Sequence, residues 1–147
     1  MKIALVCSHG GHLSEILDLA DAYAHHETFF ITYDAPRTRM LPRRKYLLRN
    51  IGFNVGWMAV AAFQILFILL SERPRVILST GAEIAVPCFY LGRLLGMRTI
   101  FVETWTRVRN PTLTGRWVYP VASAFFVQWP ELLRCYGAKA QYRGGLI

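Results

Sequence analysis

Three short clusters in this chain of 147 residues combine the residue types and spacing that chemistry on a phosphate or a hydroxyl requires. The first is Gly10-Gly11-His12, directly after an apolar run. Glycines at its first two places let backbone N–H groups approach a phosphate at the start of a helix. His12 then falls in the first turn of that helix, where it can donate to a pyrophosphate or take a proton from a hydroxyl. A plain helix-start turn reads the same way, so these residues carry no conclusion alone. The second cluster, Thr80-Gly81-Ala82-Glu83, also follows an apolar run and offers the same small-residue backbone. The third is Glu103-Thr104. A carboxylate ending an otherwise apolar run is an acid or base, a helix cap, or the partner of a cation such as Arg107. The residues alone weigh these roles about equally.

For the clusters to meet, the elements before them must lie side by side. Residues 3–7, 28–33 (TFFITY), 75–79 (RVILS), 99–103 (TIFVE) and 124–128 (AFFVQ) are short, apolar and strand-like, and a last strand is predicted near 141–143. Helical patterns separate them: 13–24, with Ile16, Leu17 and Ala20 on one face; 84–95, stopped by Gly96; and 130–136. Residues 36–50, broken by Pro36 and Pro42, read as an irregular basic connector. Continuous apolar strands alternating with helices predict an α/β, Rossmann-like parallel sheet with helices on both faces. In such sheets ligands bind outside the carboxyl ends of the strands, where all three clusters fall. At this length a single domain over residues 1–147 is expected.

Lysine and arginine outnumber aspartate and glutamate by 17 to 9, a formal net charge of +8, so an anionic partner is expected. Nucleic acid, an acidic membrane surface and a phosphorylated substrate all qualify. The distribution separates them. Arg37, Arg39, Arg43, Arg44, Lys45 and Arg49 lie in a stretch, 35–71, that has no acidic residue, and the uncharged run 51–70 follows them. A basic cluster abutting an apolar helix suits an anionic lipid surface; a solvated loop before a core helix is the plainer alternative. The run is long enough to span a bilayer. Spanning would, however, put strands of one sheet on opposite sides of the membrane. A helix that packs partly on the sheet and partly dips into the membrane is the preferred reading. The membrane-associating segment is then about 37–70, with Arg39, Arg43, Arg44, Lys45, Trp57, Phe63 and Phe67 at the lipid.

Cys7, Cys88 and Cys135 are far apart and odd in number, which suits free thiols in a reducing compartment. The first residues are apolar too briefly for a secretory signal and read as a first strand, so a cytoplasmic domain is expected. No dinucleotide fingerprint, phosphate-binding loop with its lysine, paired glycosidase carboxylates or metal-ligand spacing is present. No metal and no cofactor is expected. Nor does any basic helix face suggest a nucleic-acid reader.

The motifs also follow one another in a familiar order. Gly10-Gly11-His12 with Glu15, Ser79-Thr80-Gly81 with Val86-Pro87, Val102-Glu103, Arg107-Val108, Leu113-Thr114-Gly115 and the run 126–132 (FVQWPEL) together resemble the ALG-fourteen-like family over nearly the whole chain. The block 103–132 is the specific part. The wording of the motifs looks more like bacterial members that pair with a second subunit in exopolysaccharide or capsule assembly. The family is similar to the N-terminal, acceptor-binding half of GT-B glycosyltransferases. The end of this chain falls where a GT-B enzyme would continue into its second half.

The resemblance implies an acceptor-side subunit at the cytoplasmic face of the cell membrane. Its donor-binding glycosyltransferase partner would supply a UDP-sugar for transfer to a polyprenyl-pyrophosphate-linked saccharide. It implies Gly10, Gly11, Thr80 and Gly81 at the acceptor pyrophosphate, with Arg107 as a charge partner. Glu103, ranked first, and His12 are the implied candidates for the base. Two other readings stand beside it: a non-catalytic anchor that recruits the catalytic subunit, and, more remotely, a basic nucleic-acid-binding domain.

Overall fold

A computed structural model describes residues 1–146. Seven parallel strands form one sheet: β1 (Lys2–Val6), β2 (Glu27–Tyr33), β3 (Lys45–Leu48), β4 (Val76–Ser79), β5 (Arg98–Val102), β6 (Ala124–Val127) and β7 (Ala140–Tyr142). Their order is β3-β2-β1-β4-β5-β6-β7. The chain runs outward from β1 to one edge, then returns to β4 on β1's other side and proceeds to the opposite edge. That reversal makes the β1/β4 boundary the topological switch point.

Strand alternation sorts the core into two layers. Ala4 and Val6, with Phe29, Ile31, Ile77, Phe101 and Phe125, face the long helices α4 (Val55–Glu72) and α5 (Ala85–Leu94) and the short α6 (Leu113–Val118). Ile3, Leu5 and Cys7, with Phe30, Leu78 and Val102, face α1 (Gly11–Asp18) and α2 (Ala20–Tyr23) through Leu13, Ile16 and Tyr23.

Three expectations change in detail. The helix predicted over 13–24 is two helices that part at Leu19. The helix predicted over 130–136 is a 3-10 turn, Pro130–Arg134. The connector 36–50 is not irregular: it holds α3 (Pro36–Arg39) and the edge strand β3. β3 is only 4 residues long and begins on Lys45, so its own pattern is mute. The exposed edge of β2 supplies its partner, pairing Phe30 with Lys45 and Tyr33 with Leu48.

Helix α4 is apolar on two faces. Asn54 caps it, accepting from the Trp57 N–H (3.1 Å), and Arg73 ends it in the left-handed region at φ 50°, before Pro74. Ala61, Ile65, Ile68 and Leu69 are buried on the sheet. Val60, Phe63, Phe67 and Leu70 recur at helical spacing on the outer side, where Phe63 and Phe67 are 76% and 74% exposed. By length and composition α4 is able to cross a membrane. In this fold it lies along the sheet, since β3 before it and β4 after it belong to the same sheet.

The basic segment is more engaged than its composition suggests. Glu72, at the end of α4, is buried and accepts from Lys2 Nζ (3.0 Å), Arg44 (2.7 Å) and the Tyr46 hydroxyl. Burial pushes its carboxyl pKa up. The hydrogen bonds from Tyr46 and Lys2, with the charges of Lys2 and Arg44, overcome that and hold it below the usual range. Arg39 pairs with Asp34 at 2.6 Å, Lys45 Nζ donates to the Leu41 carbonyl at 2.8 Å, and Arg43 lies over the Tyr23 ring. Tyr23 and Leu41 belong to the core layer on the far side of the sheet from α4. Arg43 and Lys45 therefore do not extend the apolar face of α4, and the charge of Arg39 is already paired. Arg44 reaches its end and Arg49 stacks on Trp57, 3.8 Å above the ring.

Candidate active site at the switch point

The turns after β1 and β4 meet through His12. Thr80 Oγ1 donates to the His12 carbonyl at 2.6 Å, and the His12 ring rests over Gly81. A Cβ on Gly81 would stand 2.5 Å from His12 Cε1 and 2.7 Å from Nδ1, and Gly81 has φ +132°. Only glycine meets both demands. The next residue, Ala82, also has positive φ, at 74°, so the turn holds a strained backbone beside the histidine. Gly10 and Gly11 differ: a Cβ on either would meet nothing within 4 Å. Packing within the chain does not require those two glycines, and the open space above them suits the approach of a ligand. Sequence reasoning placed Gly10, Gly11, His12, Thr80 and Gly81 in one site, and the fold brings them together.

Glu103 ends β5 at the same edge of the sheet, yet it is only 1% exposed and both of its oxygens are engaged. Oε1 accepts from the Thr104 N–H (3.1 Å). Oε2 accepts from the Thr112 N–H (3.1 Å) and from the Tyr136 hydroxyl. The Thr112 hydroxyl reaches both oxygens, at 2.9 and 3.0 Å. Burial, then the negative charge of Glu103, raises the Tyr136 pKa, which keeps that phenol a donor. Thr112 is the N-cap of α6 and accepts from the Gly115 N–H at 2.9 Å. Gly115 packs so close that a Cβ would run into Glu103 Oε2 and the Tyr136 hydroxyl. Of the roles open at the outset, this geometry displays a form of the cap, with Glu103 holding the capping Thr112: it ties β5, the start of α6 and Tyr136 into one knot. Arg107 is exposed and, among the described residues, is not its partner.

Several residues to which sequence reasoning gave no place in the site converge here. Glu15, on α1, is buried; its Oε1 accepts from Thr104 Oγ1 (3.0 Å), the Trp105 N–H (2.8 Å) and Gln128 Nε2 (3.2 Å). Gln128 also donates to the Glu103 carbonyl at 3.1 Å, which joins α1, β5 and the end of β6. Arg37, on α3, donates to the Gly10 carbonyl (3.1 Å) and Ser14 Oγ (3.0 Å), putting an exposed cation beside the Gly10 turn. A glutamate three residues after His12 on the first helix was the available signal for this network. Its partners lie 89 to 113 residues away, beyond any periodicity.

The profile described as "Oligosaccharide biosynthesis protein Alg14 like" matches residues 38–146. The chain belongs to the Alg14-like family. Among curated relatives it is 30% identical over 112 residues to "UDP-N-acetylglucosamine transferase subunit alg14" of Schizosaccharomyces pombe, covering 71% of this chain and 53% of that one. To the subunit of the same description from Candida albicans it is 36% identical over 85 residues, covering 54% and 38%. The Alg14-like chain thus spans about half the length of these relatives or less. Among solved structures, Acinetobacter baumannii MurG superposes with a TM-score of 0.81 at 16% identity, over 98% of this chain and 46% of that one. The UDP-GlcNAc 2-epimerase of Methanocaldococcus jannaschii, in complex with UDP-GlcNAc and UDP, superposes at 0.77 with 15% identity, over 99% and 47%. These likenesses identify the fold as that of the N-terminal half of such two-domain proteins. They extend over β1, α1 and His12, which the family match does not reach.

Proposed function

We propose that this Alg14-like chain is the acceptor-binding, membrane-associating subunit of a two-subunit glycosyltransferase. Its partner holds a UDP-sugar, and the acceptor is a saccharide linked to a polyprenyl pyrophosphate, used in polysaccharide assembly. The observation that carries this reading is His12 at the β1/β4 switch point, held by Thr80 and Gly81 beneath the open Gly10-Gly11 turn. The printed descriptions of the relatives, subunits of a UDP-N-acetylglucosamine transferase, supply the reaction class. His12 Nε2 takes the proton of the acceptor hydroxyl as its oxygen bonds to the sugar's anomeric carbon. The bond from that carbon to the UDP phosphate breaks, and UDP leaves on the partner's side. Gly10 and Gly11 approach the acceptor pyrophosphate, with Arg37 a cation beside their turn and Arg107 a second at the same edge.

The membrane role rests on the outer face of α4 and on its direction. A helix between parallel strands runs back across the sheet, so α4 begins at the carboxyl edge where His12 lies. Trp57 and Phe53 sit at that end, Phe53 edge-on to Trp117 of α6. A lipid-facing stripe starting beside the site would present a lipid-linked acceptor to it on the cytoplasmic face.

Two measurements test this. Calorimetry on the isolated chain with UDP-sugars should find no tight binding, because the nucleotide belongs to the partner. Binding in the low micromolar range or better would make the chain self-sufficient and overturn the two-subunit reading. Pelleting with anionic vesicles should capture the wild type. Phe63→Ser with Phe67→Ser should weaken capture about tenfold or more, each lost side chain removing about 1.5–3 kcal/mol at full insertion. Arg49→Gln should weaken it further and blunt its salt dependence, whereas Arg39→Gln, whose charge Asp34 already pairs, and Lys45→Gln, which is held on the other side of the sheet from α4, should change little. Unchanged capture of the double variant would refute the docking of α4.

A further inference from the structure

The Glu15 carboxylate is divided. Oε1 is saturated by the three donors from Thr104, Trp105 and Gln128. Oε2 is buried and, among the described residues, has no hydrogen-bond partner. At 3.4 Å from it lies His12 Nδ1, which is buried and equally unpartnered. The His12 side chain keeps 27% of its exposure, on the ring edge away from Nδ1. Two orphan polar atoms, buried face to face, are each other's available partner among the described residues, and contacts of this kind are commonly long before substrate binds.

We infer that Glu15 is a positioning residue: it holds His12 with the proton on Nδ1, so that Nε2 is left bare as the proton acceptor. The inference rests on the reading of His12 as the base, and it says what equips His12 for that work. In a neutral imidazole, the hydrogen bond made by one nitrogen decides which nitrogen carries the proton. An imidazole free in water prefers its proton on Nε2, the wrong atom for a base whose Nε2 faces the substrate. A carboxylate oxygen accepts only, so Oε2 selects the Nδ1–H form. Thr80, holding the His12 backbone, and Gly81, beneath the ring, stop the imidazole from turning away. Glu15 itself cannot rotate, because Trp105 donates from the main chain. Gln128 is tied as well: its Nε2 also donates to the Glu103 carbonyl, and its Oε1 accepts from the Leu146 N–H at 2.9 Å.

The same network makes Glu15→Gln an informative substitution. Two donors that cannot be inverted, the Trp105 N–H and the Gln128 amide, face the Oε1 position, so the new amide must put its carbonyl oxygen there. Its NH2 group then faces His12 Nδ1 as a donor. Nδ1 must become the acceptor, and the proton moves to Nε2. Nitrogen-15 NMR of the ring in the purified full chain, at a pH where imidazoles are neutral, reads the tautomer directly. The expected result is Nδ1–H in the wild type and Nε2–H in Glu15→Gln. A wild-type His12 protonated on Nε2, or a tautomer indifferent to the substitution, overturns the inference. The wild-type spectrum decides alone should the variant not fold. In the complex with the partner, turnover should fall about 10–100-fold, the range known for partners that hold a metal-bound histidine by its second nitrogen, with the acceptor KM nearly unchanged. A switched tautomer with full turnover would uphold the positioning role and remove His12 as the base.

Discussion

His12→Gln lowers the turnover of the complex reconstituted with its nucleotide-sugar-binding partner by about 10²–10⁴-fold, the usual contribution of a general base. The substitution keeps a polar side chain over Gly81 and the main-chain bond from Thr80, so the turn should survive. What disappears is the ring nitrogen that would take the proton. The loss should fall on kcat and on kcat/KM alike, because proton transfer belongs to the transition state, while vesicle capture and partner binding stay as they were. A fully active His12→Gln complex would put all of the chemistry in the partner and leave this chain the anchor that the second reading of the sequence describes.

The frame of the fold was open to reading because burial on both faces writes itself into strands as unbroken apolar runs, as in residues 28–33 and 99–103. β3 was hidden for the opposite reason: an edge strand of four residues among arginines and prolines takes its structure from the neighbour's backbone. The site divided along the same line. Gly81 could be placed because a glycine after a strand marks a tight backbone, and the structure adds the His12 ring that needs the room. Glu103 was placed at the correct edge with its role left open, since an acid ending a strand looks the same whether it faces a cleft or four donors. Arg39 and Arg44 were counted as free charges because their partners, Asp34 and Glu72, come from outside the acid-free stretch. Sequence distance conceals such pairs, and it conceals the link from Glu15 to Gln128 for the same reason.

Glu103→Gln should act on stability rather than on rate. Two of the donors around the carboxylate are main-chain N–H groups, Thr104 at Oε1 and Thr112 at Oε2. Hydroxyls can turn to accept from an amide; these two groups cannot. Whichever way the new side chain is turned, its NH2 confronts one of them, leaving a buried donor unpaired and removing the charge that strengthened the remaining bonds. Hydrogen bonds to a charged group contribute about 1.5–3 kcal/mol and an unsatisfied buried donor costs about 1–3, so a loss of about 3 kcal/mol is expected. For a chain near this size that lowers the melting temperature by about 6–12 °C. The damage should centre on the start of α6, which Thr112 caps, and on the docking of Tyr136. The rate per folded molecule should stay within a few-fold of wild type, because Glu103 has no oxygen free to meet a substrate. Thermal denaturation and turnover measured on one preparation separate the alternatives. A Glu103→Gln protein with wild-type melting and a rate reduced a hundredfold would mean that the knot opens in the complex and frees this carboxylate to act as the base in place of His12.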